Sequence, residues 1–363
     1  MSDATPTLPL ARDAVSVERS SFSPIYTLVG TLIIAVFFTA APWILPASWV
    51  SILSNFFILV IMATMWNLLA GYAGMVSIGQ QGFIGLGAYA MLYFAIKGMN
   101  PFVAIPFAIV TCAVLAYPIT YLLFRLRGGY FAVATWVVAD SAMLIILSIA
   151  LLGGGTGRYL PGLSNLSPSQ LNHYTYLATW VVAFVVVVAT YFILRSRLGL
   201  VLSSVRDNET AARSAGAKVT STRRLIYVIA AAGCGAAGAV LAISQPFVQP
   251  GNAFSLNWAA EMLFVSMIGG LGTIEGPILG CVIYFVLQQS LQNYGAWYLI
   301  IFGTVAVIIA IWQPRGLWGA IRDRFHFELL PVGYRVRDKV RVKKVKRQKR
   351  AETPPPSVVT TSE

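Results

Sequence analysis

Apolar runs of about twenty residues recur along the whole chain and constrain it more than any other feature. A helix needs roughly 20 such residues to cross the hydrocarbon core of a bilayer. Seven stretches reach that length: 25–45, 49–70, 101–124, 130–152, 174–194, 225–244 and 296–313. Three more, 73–96, 258–273 and 276–292, are apolar but interrupted by glycine. Counting all three gives ten crossings, and treating one or two as re-entrant gives eight or nine. Of 363 residues, 57% are hydrophobic and 11% charged, and the mean hydropathy is +0.73. Ordinary globular domains carry roughly a quarter charged residues, so most of this chain sits in lipid. The expected fold is all-α, a polytopic transmembrane helical bundle. Two His and three Cys exclude a His-rich or Cys-rich metal centre. Cys112, Cys234 and Cys281 all fall inside apolar runs and offer no disulfide framework.

The net charge of +13 is concentrated at one end. Between Pro314 and Arg350 there are thirteen Lys and Arg against three acids, a net +10, which leaves a nearly neutral membrane body. A basic segment beside a last span can lie on anionic lipid at about 1 kcal/mol per basic residue, and lipid rather than nucleic acid is its expected partner. Lys and Arg favour the cytoplasmic side. Arg125 and Arg127, the seven basic residues of 195–224 and the tail all fall inside if both termini are cytoplasmic. The loops then left outside, 46–48, 153–173, 245–257 and 293–295, hold only Arg158, and Lys97 alone dissents. The chain divides into a cytoplasmic arm (1–22), a membrane domain (23–319) with a coupling loop (195–224), and a basic, disordered cytoplasmic tail (320–363). The first apolar run is longer than a signal-peptide core and is read as a span. The multi-pass protein belongs in the cell (inner or plasma) membrane.

Two glycine clusters stand out. Gly71 to Gly87 has six glycines in seventeen positions, with Asn67, Ser77, Gln80 and Gln81 in the same region. Ile268 to Gly280 carries Gly270, Gly272 and Gly276 beside Glu275. Glycine costs about 1 kcal/mol relative to alanine inside a helix, so such density means close backbone packing, an unwound stretch, or both. Glycine-interrupted segments in the two halves point to a translocation pathway at the midplane. Asn67, Ser77, Gly79, Gln80, Gln81, Gly82, Gly270, Gly272, Glu275 and Gly276 are its candidate lining. Small-residue helix packing is the alternative. A phosphate-cradling loop is excluded, because no Lys-Ser/Thr follows the glycines. Asp140, inside the fifth apolar run, is a further intramembrane polar site, either a substrate contact, a proton site or a structural hydrogen-bonding group. No basic residue lies mid-span to pair with it.

In the loop 195–224, Asp207 or Asn208 can cap a short helix, Glu209 complements its dipole, and Gly216 supplies a stop. Such a small-faced helix suits docking into a groove on a partner. Glu209, Ala211, Ala212 and Gly216 resemble the coupling-loop signature of ABC-transporter permeases: Glu-Ala-Ala, three residues, Gly. Ile226 falls where that signature expects isoleucine, but Tyr227 and Val228 replace its usual Leu-Pro. The segments around Gly71 to Gln80, Leu126 to Thr135, Ile268 to Pro277 and Pro314 to Gly319 resemble, in order, those of the branched-chain amino acid (LivM-like) permeases. The resemblance covers roughly residues 50–320 and does not extend to the basic tail.

It implies a non-enzymatic permease subunit of an ATP-driven importer. Its partners would be a second related permease, two cytoplasmic ATPases and a periplasmic or extracellular solute-binding protein. The chain has no Walker-type nucleotide loop, so no cofactor is expected on it and ATP is bound by the partner subunits. The implied substrate is a branched-chain or related amino acid. Urea or short amides, carried by a permease of the same family, are the alternative substrates, and a stand-alone secondary transporter is the alternative mechanism. A membrane-embedded enzyme is a poor fit, because no nucleophile–base pair is visible.

Overall fold

A computed structural model describes residues 15–19, 35–291, 297–313, 316–325 and 334–338. The chain forms two units, one of residues 1–26 and 331–363, the other of residues 27–330. The larger unit is helical. In chain order it runs α1 (Ala35–Ile44), α2 (Ala47–Asn67), α3 (Gln80–Ile96), α4 (Pro101–Leu123), α5 (Gly129–Leu147), α6 (Pro168–Arg195) and α7 (Arg197–Asp207). It continues with α8 (Glu209–Ser214), α9 (Val219–Ser244), α10 (Pro250–Ala253), α11 (Leu256–Gly269), α12 (Glu275–Leu291), α13 (Trp297–Trp312) and α14 (Gly316–Phe325). Four short strands are described: β1 (Val15–Arg19), β2 (Arg158–Tyr159), β3 (Phe247–Val248) and β4 (Tyr334–Asp338). Every apolar run of the sequence carries a helix. The beginning of the first run, residues 25–34, lies outside the described residues.

Hydrocarbon cannot hydrogen-bond the backbone, so a spanning segment must satisfy its own peptide groups, which an α-helix does. Among the described residues five helices are long and apolar enough to cross a bilayer, the first extending from Ala47 through a π-turn (Leu68–Tyr72). α2 and α9 are the central pair, buried along most of their length, with α3 beside them. α4, α5 and α6 turn valine, leucine and aromatic side chains outward, as a lipid-facing layer requires. Their ends carry local stop and start signals. Asn100 accepts the Phe102 N–H at 2.9 Å ahead of Pro101, and Ser167 and Gln170 form a reciprocal capping box for α6.

The centre is assembled by backbone contact. A Cβ on Gly87 would overlap the Gly235 carbonyl, one on Gly238 the Ile84 carbonyl, and one on Gly235 would lie 2.5 Å from the Cys112 sulfur. Helices in lipid gain no hydrophobic driving force by associating, so they rely on such close approach of small residues. That explains the Ala- and Gly-rich sequence of α9 from Ala230 to Ala242.

In the smaller unit β1 and β4 pair antiparallel, Val17 opposite Val336 and Glu18 opposite Arg335. Both have the two-residue alternation of a strand, in segments the sequence reading left as a loose arm and a disordered basic tail. The rest of the arm and of the basic tail lies outside the described residues; of the basic residues expected on anionic lipid, Arg322 and Arg324 fall in α14 and Arg335 and Arg337 in β4.

Gly238→Leu forces a side chain into a backbone carbonyl. It should cost at least the ~1–3 kcal/mol of ordinary overpacking, seen as a lowered Tm and loss of a monodisperse peak in detergent. Gly251→Leu, at a glycine with open space around it, should leave both measurements unchanged.

Candidate coupling and translocation site

The longest loop between spans is folded. At the end of α7, Asn208 leaves helical geometry (φ −155°, ψ 102°) and its Oδ1 accepts the Ala211 N–H at 3.0 Å, capping α8. At the other end Gly216 has φ +87°. Its N–H donates to Arg213 O at 2.9 Å, and the Ala217 N–H donates to Ala212 O at 3.0 Å. This doubly bonded stop needs the left-handed conformation that glycine adopts without strain. Between the caps, Ala212 is buried against Val205 of α7 and Val219 of α9.

The Glu209 carboxylate accepts from Arg213 Nη2 at 2.7 Å and Nε at 3.1 Å, and from Arg223 Nη1 of α9 at 2.9 Å. The hydrogen bonds from Arg213, helped by the charge of Arg223, hold this carboxyl below its ordinary value of 4.5 against a partial desolvation. The four residues that the sequence reading grouped as one docking surface therefore divide. Glu209 and Ala212 tie α8 to the protein and Gly216 ends it, while Ala211 is exposed with Thr210.

The two glycine clusters meet. Asn67, at the end of α2, donates from Nδ2 to Thr273 O at 2.7 Å and accepts the Gly272 N–H on Oδ1 at 2.9 Å. Gly71 lies so close that a Cβ there would overlap both Gly272 N and Asn67 Oδ1. Gly316, the first residue of α14, is pressed against Gly269 and Gly270, and Gly276 against the Gly270 carbonyl. Glu275 starts α12 and is buried. Asn67, Gly270, Gly272, Glu275 and Gly276 thus belong to one junction that also draws in Gly316.

Ser77, Gly79, Gln80, Gln81 and Gly82 form a second group, where the chain re-enters helix as α3. The Ser77 carbonyl accepts Trp66 Nε1 at 2.8 Å, and Thr135 Oγ1 of α5 accepts the N–H groups of Ile78 and Gly79, each at 3.2 Å. A Cβ on Gly79 would overlap the Thr135 carbonyl, and one on Gly82 would lie 2.7 Å from the Ala139 Cβ. These glycines let α3 dock on α5. The amides behave differently. Gln80 Nε2 donates to Ser77 Oγ at 3.4 Å, but Gln80 Oε1 and both polar atoms of the buried Gln81 find no hydrogen-bond partner among the described residues.

Asp140 is exposed on the outer face of α5, away from both groups. A groove of about 930 Å³ between α4, α6 and α9 holds none of the predicted lining residues, and it is walled mostly by aliphatic side chains such as Val103, Ile109, Val182, Val186 and Ile229. The sequence reading missed Arg206. It lies in the last turn of α7, two residues before the Asn208 cap, and its Nη1 donates to Gly71 O at 2.9 Å. The available signal was an isolated arginine closing the apolar stretch Leu198–Val205.

The bundle defines the class, a multi-pass α-helical membrane protein. Residues 48–311 match the family described as branched-chain amino acid transport system, permease component. The chain belongs to that family, and is a non-catalytic permease component of ATP-driven importers, which work with ATPase and binding-protein partners. It is 27% identical over 338 residues to the high-affinity branched-chain amino acid transport system permease protein LivM of Salmonella typhimurium, covering 85% of this chain and 76% of that one. The probable LivM of Methanocaldococcus jannaschii is 23% identical over 71% of this chain and 89% of its own length. A ribose import permease, RbsC of Escherichia coli, is 26% identical over 36% of this chain and 43% of its own. No solved structure matches.

Partly exposed ion pairs contribute about 0.5–1 kcal/mol. Arg223→Ala should therefore raise hydrogen exchange of amides 211–217 by about two- to five-fold relative to wild type. Because the folded carboxyl titrates below 4.5, the pairing is fully present above that pH and is lost as pH falls through the lowered value. After correction for intrinsic rates, exchange at 211–217 should be flat from neutral pH down to about 5 and rise only below 4.5. Glu209→Gln should abolish that rise.

Proposed function

We propose that this chain is the permease subunit that passes branched-chain or related amino acids, delivered by a solute-binding protein, through an importer built with a second, related permease and two ATPases. Both termini and α8 lie in the cytoplasm, and ATP is bound by the partners. The observation that carries the reading is α8 itself. A six-residue helix capped at both ends, anchored through Ala212 and Glu209, and exposing Thr210 and Ala211, is a rigid, small-faced knob on the longest loop between spans. Small exposed side chains let a partner groove close around the helix backbone.

Two features support a pathway and a neighbouring permease. The Gln81 amide is buried with both ends unpaired among the described residues, at a cost of about 1–3 kcal/mol per group, which a polar solute or water passing α3 would offset. Asp140 sits near the middle of α5 on its outward face, where a carboxylate against hydrocarbon is costly, and a second chain or water beside α5 removes that cost. Alternating access then follows from closure of the ATPases on α8 and rearrangement of the spans behind it. Similarity to a ribose permease over about a third of the chain supports a scaffold that does not itself choose the solute, and leaves selection to the binding protein.

In a reconstituted complex with its ATPases and binding protein, ATP-driven leucine uptake is the expected activity. Ala211→Glu should weaken ATPase association at least ten-fold while α8 stays folded, because this side chain is exposed. Unchanged ATPase affinity in that variant would remove α8 as the docking element. Uptake of urea with no uptake of leucine would replace the substrate class and leave the importer reading intact.

A further inference from the structure

Arg206 brings a charged side chain of α7 into contact with the glycine junction. From α7, its Nη1 donates to the Gly71 carbonyl at 2.9 Å, and its Nε contacts Asp207 Oδ1 at 3.1 Å. The same Nη1 lies 2.9 Å from the point a Cβ on Gly272 would occupy, so the guanidinium fills the space left by that missing side chain. Its aliphatic stem runs over Gly74, which has φ +66°, with Cγ 3.6 Å from the equivalent point there. One side chain thus touches three glycines from both clusters.

The adjoining residue faces the other way. Val205 packs against Ala212 and Val219, which makes the last turn of α7 and the whole of α8 one unit. A displacement of α8 therefore carries Arg206 with it. Arg206 is joined to Gly71 O, Gly71 is in contact with Gly272, and Asn67 binds the Gly272 N–H and Thr273 O. The contacts run without a gap from the exposed helix to the ends of α2, α11 and α12.

We propose that Arg206 is a positioning residue that transmits movement of α8 to the junction of the two glycine segments, so that without it the partners' ATP hydrolysis continues but no longer drives transport. The proposal rests on the importer reading above and adds to it the link inside this chain. Coupling claims need a measured interaction rather than proximity. A purely structural arginine would lower stability and leave the ratio of uptake to hydrolysis unchanged.

The test uses the complete importer in proteoliposomes, with leucine uptake and ATP hydrolysis measured together. Wild type first establishes ATP-driven uptake, and its absence there would fail the importer reading rather than the role of Arg206. Arg206→Ala should assemble and hydrolyse ATP within two-fold of wild type, with uptake per ATP reduced at least ten-fold. Arg206→Lys, which keeps one donor for the Gly71 carbonyl, should recover at least a third of the coupling.

A second variant tests the link itself, with Gly74→Cys alone measured beside it, because φ +66° at Gly74 strains any side chain there. A Cβ on Gly74 would lie 4.0 Å from the Arg206 Cβ, within disulfide range. The pair Gly74→Cys with Arg206→Cys should be uncoupled when reduced and regain uptake per ATP when oxidised, because the covalent bond replaces the lost link. The native cysteines are buried. Wild-type coupling in Arg206→Ala overturns the proposal, as does an oxidised pair no better coupled than the reduced one. Loss of ATPase association in Arg206→Ala also overturns it, since Arg206 would then be a docking residue.

Discussion

A break in a membrane helix leaves peptide groups that hydrocarbon cannot satisfy, and this constraint organises the chain around Asn67. The α-helix ends there, passes through a π-turn and unwinds before α3. The Asn67 amide gives one hydrogen bond and takes one from the loop between α11 and α12, which is the other place where helix is interrupted. The side chain at the first break thus satisfies two peptide groups of the second, while the Gly71 carbonyl of the first is met by Arg206. Gly71 and Gly272 pack so closely that a Cβ on Gly71 would overlap Gly272 N, and this approach brings the α11–α12 loop within reach of the Asn67 amide. The same economy recurs at Thr135, whose hydroxyl accepts two N–H groups from the re-entry into α3.

Much of this was legible in the sequence, and for identifiable reasons. Span positions follow from run length, because the thickness of the bilayer leaves little freedom. The caps of α8 were readable because Asn208 and Gly216 act through backbone geometry local to their own turn. The glycine clusters announced close contact, but glycine carries no address, and no pattern says which backbone it will meet. The meeting of Gly71 with Gly272 and of Gly316 with Gly270 is a tertiary fact. So is the inward turn of Glu209, whose second partner, Arg223, is fourteen residues away on another helix. Arg206 was unremarkable in a loop with seven basic residues until its carbonyl partner was in view.

The division within the coupling loop has a consequence for reading such signatures. A recurring Glu-Ala-Ala pattern invites the interpretation that all three residues meet the partner. Here Glu209 is held by two guanidiniums and Ala212 by two valines, so a change at either acts first on the shape of the loop. Only Ala211 is free of such duties among these three. If α8 docks as proposed, a bulky residue at 212 and one at 211 would both disturb it, but by different physics: one by overpacking the seat of α8, the other by blocking the face it presents.

Rigidity is what makes so small a helix useful. Six residues are far below the ~12–15 at which an isolated helix is even marginally stable in water, so α8 owes its order to its caps and anchors. A segment held by one cap alone would answer a push by fraying, and the work done on it would be lost as local unfolding. With Asn208 closing the N-terminus, Gly216 and Ala217 closing the C-terminus, and Ala212 and Glu209 tying the middle to α7 and α9, the path of least resistance is movement of the whole unit. The structural features that look excessive for a surface loop are those that the proposed role of α8 would require.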